Sequence, residues 1–249
     1  MSENSVERAF AILEAFEQER RPLSLKELAE HCSIPASTCH SLVHTLLKRA
    51  YLYQAGKRKD LYPTRRLYDM AATIVEHDPV LLRLLPIMQD LRDTTRETVI
   101  LGKRNKDAVV YLEVLESPEV IRYSARAGDA KPLYSSSIGK TMLGSLDPED
   151  VREWLLDNPP QEVTANTITD IHDLIANLEE GRRLGLFSTR GENVADVTAL
   201  AVPVPLGNEL FAIAVAGPSH RVDARFDELA GLLAQARMGL FEGEITHHG

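Results

Sequence analysis

The stretch from residue 24 to residue 50 sets two helices around one tight turn, and this pairing constrains the chain more than any other feature of the sequence. In SLKELAEHC, Ser24 and Glu27 form a capping box: the serine oxygen serves the orphan amides of the first turn and the glutamate reaches back. Leu25, Leu28 and Ala29 then face inward. SIP breaks the chain, and Pro35 fits the first turn of the next helix because its missing N–H would have had no partner there. That next helix, expected over roughly residues 35–50, puts Cys39, Leu42, Val43, Leu46 and Ala50 on one face at i, i+3, i+4 spacing. Its opposite face carries Ser37, Ser41, His44 and Lys48, bordered by Thr38, His40 and Thr45. Short hydrogen-bonding side chains of this kind suit phosphates and base edges. His40 and His44 lack the Glu or third ligand that a metal pair would need, so they read as imidazoles facing solvent or DNA. A preceding helix over residues 6–17 follows from Val6, Ala9, Phe10, Leu13 and Phe16.

Beyond the second helix of the pair, YLYQAGKRKDLYPT places two short aliphatic and aromatic runs around a basic, glycine-containing turn, which predicts a hairpin. The ordered set is a winged helix-turn-helix, with the second helix of the pair in the major groove and Lys57, Arg58 and Lys59 of the wing tip against phosphates or the minor groove. Charge decides whether that reading is physically reasonable. The net charge of -9 by itself argues against a polyanionic partner. Residues 1–65, however, hold ten Lys or Arg against eight Asp or Glu, and the remainder eighteen against twenty-nine, so the acidity belongs to the larger part. Between His31 and Arg66 seven basic residues face one acid, Asp60. An adaptor whose winged helix contacts protein is the competing reading, and the basic wing argues against it.

Residues 65–79, RRLYDMAATIVEHDP, predict a linker helix ended before Pro79, and a helix near 84–96 opens a second domain. Strand-like runs follow at TVILGKR, DAVVYLEVLE and EVIRYSAR. Helical patterns occupy 138–157, restarting at Asp147 and Pro148, and 169–185. LFSTR, TALAVPVPL and ELFAIAVAG read as strands, and a last helix begins near Asp223. Strands grouped in hairpins with helices between them predict an α+β domain. The expected division is 1–64 for the winged helix-turn-helix, 65–78 for the linker helix and 79–249 for the second domain.

YSSSIGKTML, residues 134–143, carries the glycine, lysine and threonine of a phosphate loop. Such a loop needs a further glycine where this chain has Tyr134, whose side chain would obstruct the backbone cradle. A serine hydrolase built on residues 135–137 with His172 or His220 fares no better, because Ser136 lacks the glycine-flanked elbow that exposes a nucleophile. The chain is therefore not expected to be an enzyme. What the stretch does offer is a helix start: Ser136, Ser137 and the amides of Ile138 and Gly139 form an anion cradle, and one of the serines can equally serve as the cap. Lys140 is expected to meet solvent or a structural partner. Cys32 and Cys39 suit thiols in a reducing compartment and lack zinc spacing, so no metal or cofactor is expected. No apolar run approaches the roughly 20 residues of a membrane span, and the first ten residues lack the apolar core of a secretory signal, which predicts a cytoplasmic location with no membrane contact.

Taken in order, SVERAFAILEAF, LSLKELAEHCSIPASTCHSLVHTLLKRAYL, PLYSSSIGKTML, TITD, LEEGRRLGLF and AVAGPSHR resemble the motifs of the IclR family of bacterial transcriptional regulators over essentially the whole chain. The resemblance implies a winged helix-turn-helix, a linker helix and a C-terminal GAF-like effector-binding domain. It also implies dimers or tetramers on inverted-repeat operators, acting as repressor or activator. It places a small carboxylate effector at LYSSSIG, with Val120, Tyr123, Thr189, Val197, Ala199, Ala214 and Ala216 as further pocket positions. Members that bind small polar acids tend to have Asp, Cys and two Ser where this chain has Thr189, Ala199, Ala214 and Ala216. A roomier, less polar cavity would follow, favouring an aromatic or longer aliphatic carboxylate over pyruvate or glyoxylate. The alternative is that these alanines are core packing and the effector binds elsewhere, or that there is none.

Overall fold

The computed structural model describes residues 5–245, with side chains as far as Leu240; the terminal THHG lies outside the described residues. The chain divides into two compact units, Met1–Pro79 and Val80–Gly249.

In the first unit, α1 (Ser5–Glu19), α2 (Leu25–His31) and α3 (Ala36–Lys48) precede a hairpin of β1 (Leu52–Ala55) and β2 (Asp60–Pro63), and α4 (Arg66–Glu76) follows. The capping box forms: Ser24 Oγ accepts from the Glu27 amide at 3.3 Å, and Glu27 Oε2 accepts from the Ser24 amide at 2.8 Å. Leu23 joins the hairpin through paired backbone hydrogen bonds with Leu61, which ties the start of α2 to the wing. The core gathers Ile12, Phe16, Leu28, Cys39, Val43, Leu52 and Leu61.

Two sequence expectations are corrected here. Of the stripe predicted to bury α1, Phe16 is in the core, but Val6 and Phe10 are exposed, because Ile12 and Ala15 supply the inward face. Ala50 is also exposed. The helix ends at Lys48, and Ala50 turns left-handed at φ 58° while the Tyr51 amide bonds back to the Leu46 carbonyl, so position 50 no longer follows the helical period.

The second unit is built on one antiparallel sheet of six strands in the order β5-β4-β3-β8-β7-β6. Its elements are α5 (Pro79–Thr95), β3 (Thr98–Asn105), β4 (Ala108–Leu115), β5 (Ala130–Pro132), α6 (Ser137–Gly144), α7 (Pro148–Asp157) and α8 (Ile171–Leu184), then β6 (Phe187–Arg190), β7 (Val197–Leu206), β8 (Glu209–Pro218), α9 (Ser219–Ala224) and α10 (Phe226–Ile245). Alternation along β8 sorts the two faces. Phe211, Ile213 and Val215 pack with residues of α5 and α10, whereas Ala212, Ala214 and Ala216 face the layer of α6, α7 and α8. Small side chains on that second face admit α6 close to the sheet. A Cβ at Gly139 would lie 2.3 Å from the Leu133 carbonyl oxygen, and one at Gly144 would lie 2.1 Å from the Phe187 ring.

EVIRYSAR, residues 119–126, is not a strand. Its backbone is tied down by side chains instead of a ladder: Arg221 donates to the Ile121 carbonyl, Thr98 Oγ1 to the Tyr123 carbonyl, and Ser117 Oγ accepts from the Glu119 amide. Pro118, which has no N–H to offer a neighbouring strand, stands at its entry. The short β5 takes the sheet edge, pairing with residues 108–110 of β4.

Candidate functional site

Helix α3 buries Cys39 and Val43 and leaves Ser37, His40, Ser41, His44, Thr45 and Lys48 exposed, with Thr38 half-buried at the border. Lys57, Arg58 and Lys59 all stand exposed at the hairpin tip, where Gly56 and Lys59 adopt left-handed conformations. One unit therefore presents a polar helix face and a basic loop. Both cysteine thiols are pushed up by burial, so they are held protonated, and among the described residues no cluster of three or more metal-ligating side chains occurs.

The same unit also exposes apolar surface. Ala9, Phe10 and Leu13 of α1, Leu46 of α3, Tyr51, and Leu67 and Met70 of α4 line one groove. Helix α4 has no buried residue, although Tyr68, Met70, Ile74 and Val75 are large and apolar.

In the second unit a pocket forms where the N-terminus of α6 meets the sheet. Its walls are Ile100, Tyr111, Tyr123, Ser136, Ser137, Thr189, Asn193, Val194, Val197, Ala199, Ala214 and Ala216. Eight of the expected positions are thus brought together. Val120 is not: it stands 92% exposed, because the anchored loop that turns Tyr123 inward turns Val120 outward. Nor does Gly139 line the pocket. Its amide is taken by Ser136 Oγ at 3.2 Å, which makes Ser136 the helix cap, and Ser136 Oγ donates in turn to the Pro132 carbonyl at 2.7 Å. Ile138 is not among the walls either; its side chain packs toward Gly102. The amides of Ser137 and Ile138 remain as the first-turn donors that no helical carbonyl can reach.

The cavity is not the roomy one expected. Its free volume is about 20 Å³, space for a single water-sized body. The alanines stand among larger neighbours, Ile100, Tyr111 and Tyr123, in the same packed layer. Ala214 and Ala216 both line the pocket and belong to the hydrophobic core. No ionised side chain is among the walls. Burial drives the Tyr111 hydroxyl well above the ordinary phenol range, reinforced by the neighbouring Tyr123.

Ser135, fully buried, accepts from Asn193 Nδ2 at 3.2 Å, while His172 and His220 are exposed and neither hydrogen-bonds a serine of the 135–137 run. The solvent alternative for Lys140 is excluded. Its side chain is fully buried, with Nζ donating to Glu192 Oε1 and to Asn177 Oδ1, each at 2.8 Å. Glu192 Oε2 lies 2.7 Å from the same nitrogen but outside hydrogen-bonding geometry. Burial lowers the Lys140 pKa and raises that of Glu192, and their mutual attraction opposes both shifts. Sequence reasoning missed Ile100, Tyr111, Glu192, Asn193 and Val194. Tyr111 shares the inward parity of Val109 on an alternating strand and could have been found that way. Glu192 and Asn193 sit in a loop that has no period.

Residues 5–56 match the model of the IclR helix-turn-helix domain, and residues 72–238 match that of the bacterial transcriptional regulator IclR C-terminal domain. Among curated relatives, the transcriptional regulator KdgR of Dickeya chrysanthemi is 29% identical over 88% of this chain and 70% of its own length. The transcriptional repressor AllR of Escherichia coli K12 is 27% identical over 88% of this chain and 81% of its own. Among solved structures, the Thermotoga maritima IclR superposes with a TM-score of 0.81 at 22% identity, covering 95% of this chain and 97% of that one. An IclR homologue from Microbacterium hydrocarbonoxydans complexed with 4-hydroxybenzoate gives 0.76 at 25% identity with the same coverage.

Proposed function

We propose, from the premise that this chain belongs to the IclR family of DNA-binding bacterial transcriptional regulators, that it recognises an inverted-repeat operator as a self-associated protein and releases or engages it in response to an aromatic or apolar organic acid. The division of labour is residues 1–64 for DNA, 65–78 for the linker helix and 79–249 for the effector. On the DNA side, Ser37, Thr38, His40, Ser41, His44, Thr45 and Lys48 meet the major groove, and Lys57, Arg58 and Lys59 neutralise phosphates. Self-association is supported by α4, which exposes Tyr68, Met70, Ile74 and Val75 among the described residues.

The observation that carries the effector reading is the composition of the pocket: one helix N-terminus, neutral hydroxyl and amide groups, and apolar walls. Ser137 and the amides of Ser137 and Ile138 supply positive potential for a carboxylate, with Ser136 as their cap. Ile100, Val197, Ala199, Ala214 and Ala216 suit an apolar body, and Tyr111, Tyr123, Thr189 and Asn193 can hydrogen-bond a polar substituent on it. The relative solved with 4-hydroxybenzoate supports this class. A free volume of about 20 Å³ cannot admit such a molecule unless the walls part, so the bound and unbound pockets differ, and differential affinity for the two is what an effector needs to shift an equilibrium. Calorimetric titration with 4-hydroxybenzoate and with pyruvate tests the class; preferential heat from pyruvate overturns it. On DNA, replacing Lys57, Arg58 and Lys59 together by Ala should lower the slope of log affinity against log salt by about 3, at roughly 0.9 per phosphate contact. An unchanged slope would favour the protein-binding adaptor.

A further inference from the structure

We propose that Lys140 and Glu192 are positioning residues for effector recognition: the buried pair fixes loop 191–196 against α6 and so holds Asn193 and Val194 as a wall of the pocket. The inference rests on the effector reading above.

The geometry joins two parts of the pocket through one contact. Lys140 belongs to the same short helix as Ser136 and Ser137, about one turn further on, and Glu192 immediately precedes Asn193 and Val194. The loop begins at Gly191, φ 67°, where a Cβ would lie 2.4 Å from the Ala195 carbonyl oxygen, so its first turn is tight. Its carbonyls are held from the other side. Thr164 Oγ1 donates to the Gly191 carbonyl at 2.6 Å and Thr167 Oγ1 to that of Glu192 at 2.8 Å. The Val194 carbonyl accepts from the Val197 amide at 3.0 Å, and to these backbone anchors the Glu192 side chain adds the one that ends on Lys140 and ties the loop to α6.

An ion pair is a poor way to stabilise this core. Apolar residues of similar volume commonly serve as well or better, because two charges must be desolvated. What a lysine bonded at once to Glu192 and Asn177 supplies is direction, since it tolerates one placement of the carboxylate where an apolar contact tolerates many. Asn193 in turn donates to Ser135, which adjoins the cap of α6. An effector seated on the α6 amides and touching Asn193 would therefore rest on two surfaces whose separation the pair sets.

The test is the full-length double variant K140M/E192L, which removes both charges and keeps the volume. Thermal unfolding establishes that it folds. Amide hydrogen exchange of residues 192–196 in the free protein should then rise about tenfold over wild type, with α6 and β8 unchanged, which would report a local opening. Affinity for 4-hydroxybenzoate should fall on the order of tenfold. Unaltered exchange in the loop overturns the inference, as does a loosened loop that leaves the affinity as it was. Should the double variant fail to fold, Glu192→Ala, which removes the acceptor and leaves Lys140 its bond to Asn177, must show the same rise confined to 192–196, and its absence is equally fatal. If wild type itself gives no heat with 4-hydroxybenzoate, the aromatic-acid reading falls, and the exchange measurement still decides whether the pair fixes the loop.

Discussion

Helices α4 and α6 invert what their sequences suggest about burial. RLYDMAATIVE, with Tyr68, Met70, Ile74 and Val75 among eleven residues, buries none of them, whereas SIGKTMLG, which includes a lysine, a serine and a threonine, is buried from end to end. The difference lies in what each helix has to touch. Helix α6 meets strands on the alanine face of the sheet, the aliphatic side chains of α8 and the Phe187 ring of β6, and its polar groups are answered internally: Thr141 Oγ1 by the Ser137 carbonyl, Lys140 by Glu192 and Asn177. Helix α4 lends Leu67 and Met70 to the groove it shares with α1, α3 and Tyr51, whose hydroxyl donates to Met70 Sδ at 3.6 Å. Hydrophobicity is a demand for cover, and for Tyr68, Met70, Ile74 and Val75 of α4 that demand is unmet among the described residues.

The contrast breaks most sharply at Lys140. Changing it alone to Met removes a partner and leaves the Glu192 carboxylate buried with Asn177 and backbone as its surroundings. A loss of about 3–5 kcal/mol in chemical unfolding is expected, as for other broken buried pairs. The double change K140M/E192L should recover most of it. If K140M alone were as stable as wild type, the buried pair would hold nothing, and α6 would be an ordinary core helix.

The fold was legible wherever a local rule sufficed. The Ser24–Glu27 box, Pro35 before α3 and the restart at Asp147–Pro148 place helix starts within a residue or two, since each depends on backbone groups close in sequence. The alternating β7 and β8 were equally plain. What stayed hidden depends on tertiary partners. EVIRYSAR has strand composition, but Arg221, about a hundred residues away, takes the Ile121 carbonyl and holds the segment as a loop. The α1 stripe was read one face off because both faces are apolar, and only the groove toward α4 shows why: Phe10 and Leu13 serve that surface while Ile12 and Phe16 serve the core. In the pocket, the helix start marked Ser136 and Ser137, and the resemblance to the family implied the other six of the eight positions. Volume is not legible from side-chain size, because close packing lets larger neighbours occupy the space beside small residues.

Helix α4 offers the gentler test, and it separates cover from folding. Phe10→Glu with Met70→Lys places charge on two residues that are 60% and 44% exposed and lie in the same groove. Neither side chain is in the core, so the folding free energy of the chain should move by no more than about 1 kcal/mol, a surface-sized effect. Self-association is another matter. If a second copy of this chain supplies the missing cover, desolvating two charged side chains at that contact is costly even where they pair, and sedimentation velocity should show the variant shifted toward the monomer at concentrations where wild type is associated. Affinity for a duplex carrying two half-sites should fall with it, because two linked reading helices gain from effective concentration and separate ones do not. A variant that sediments like wild type would mean that the apolar groove is not where copies meet, and the exposed stripe of α4 would then need a different cover.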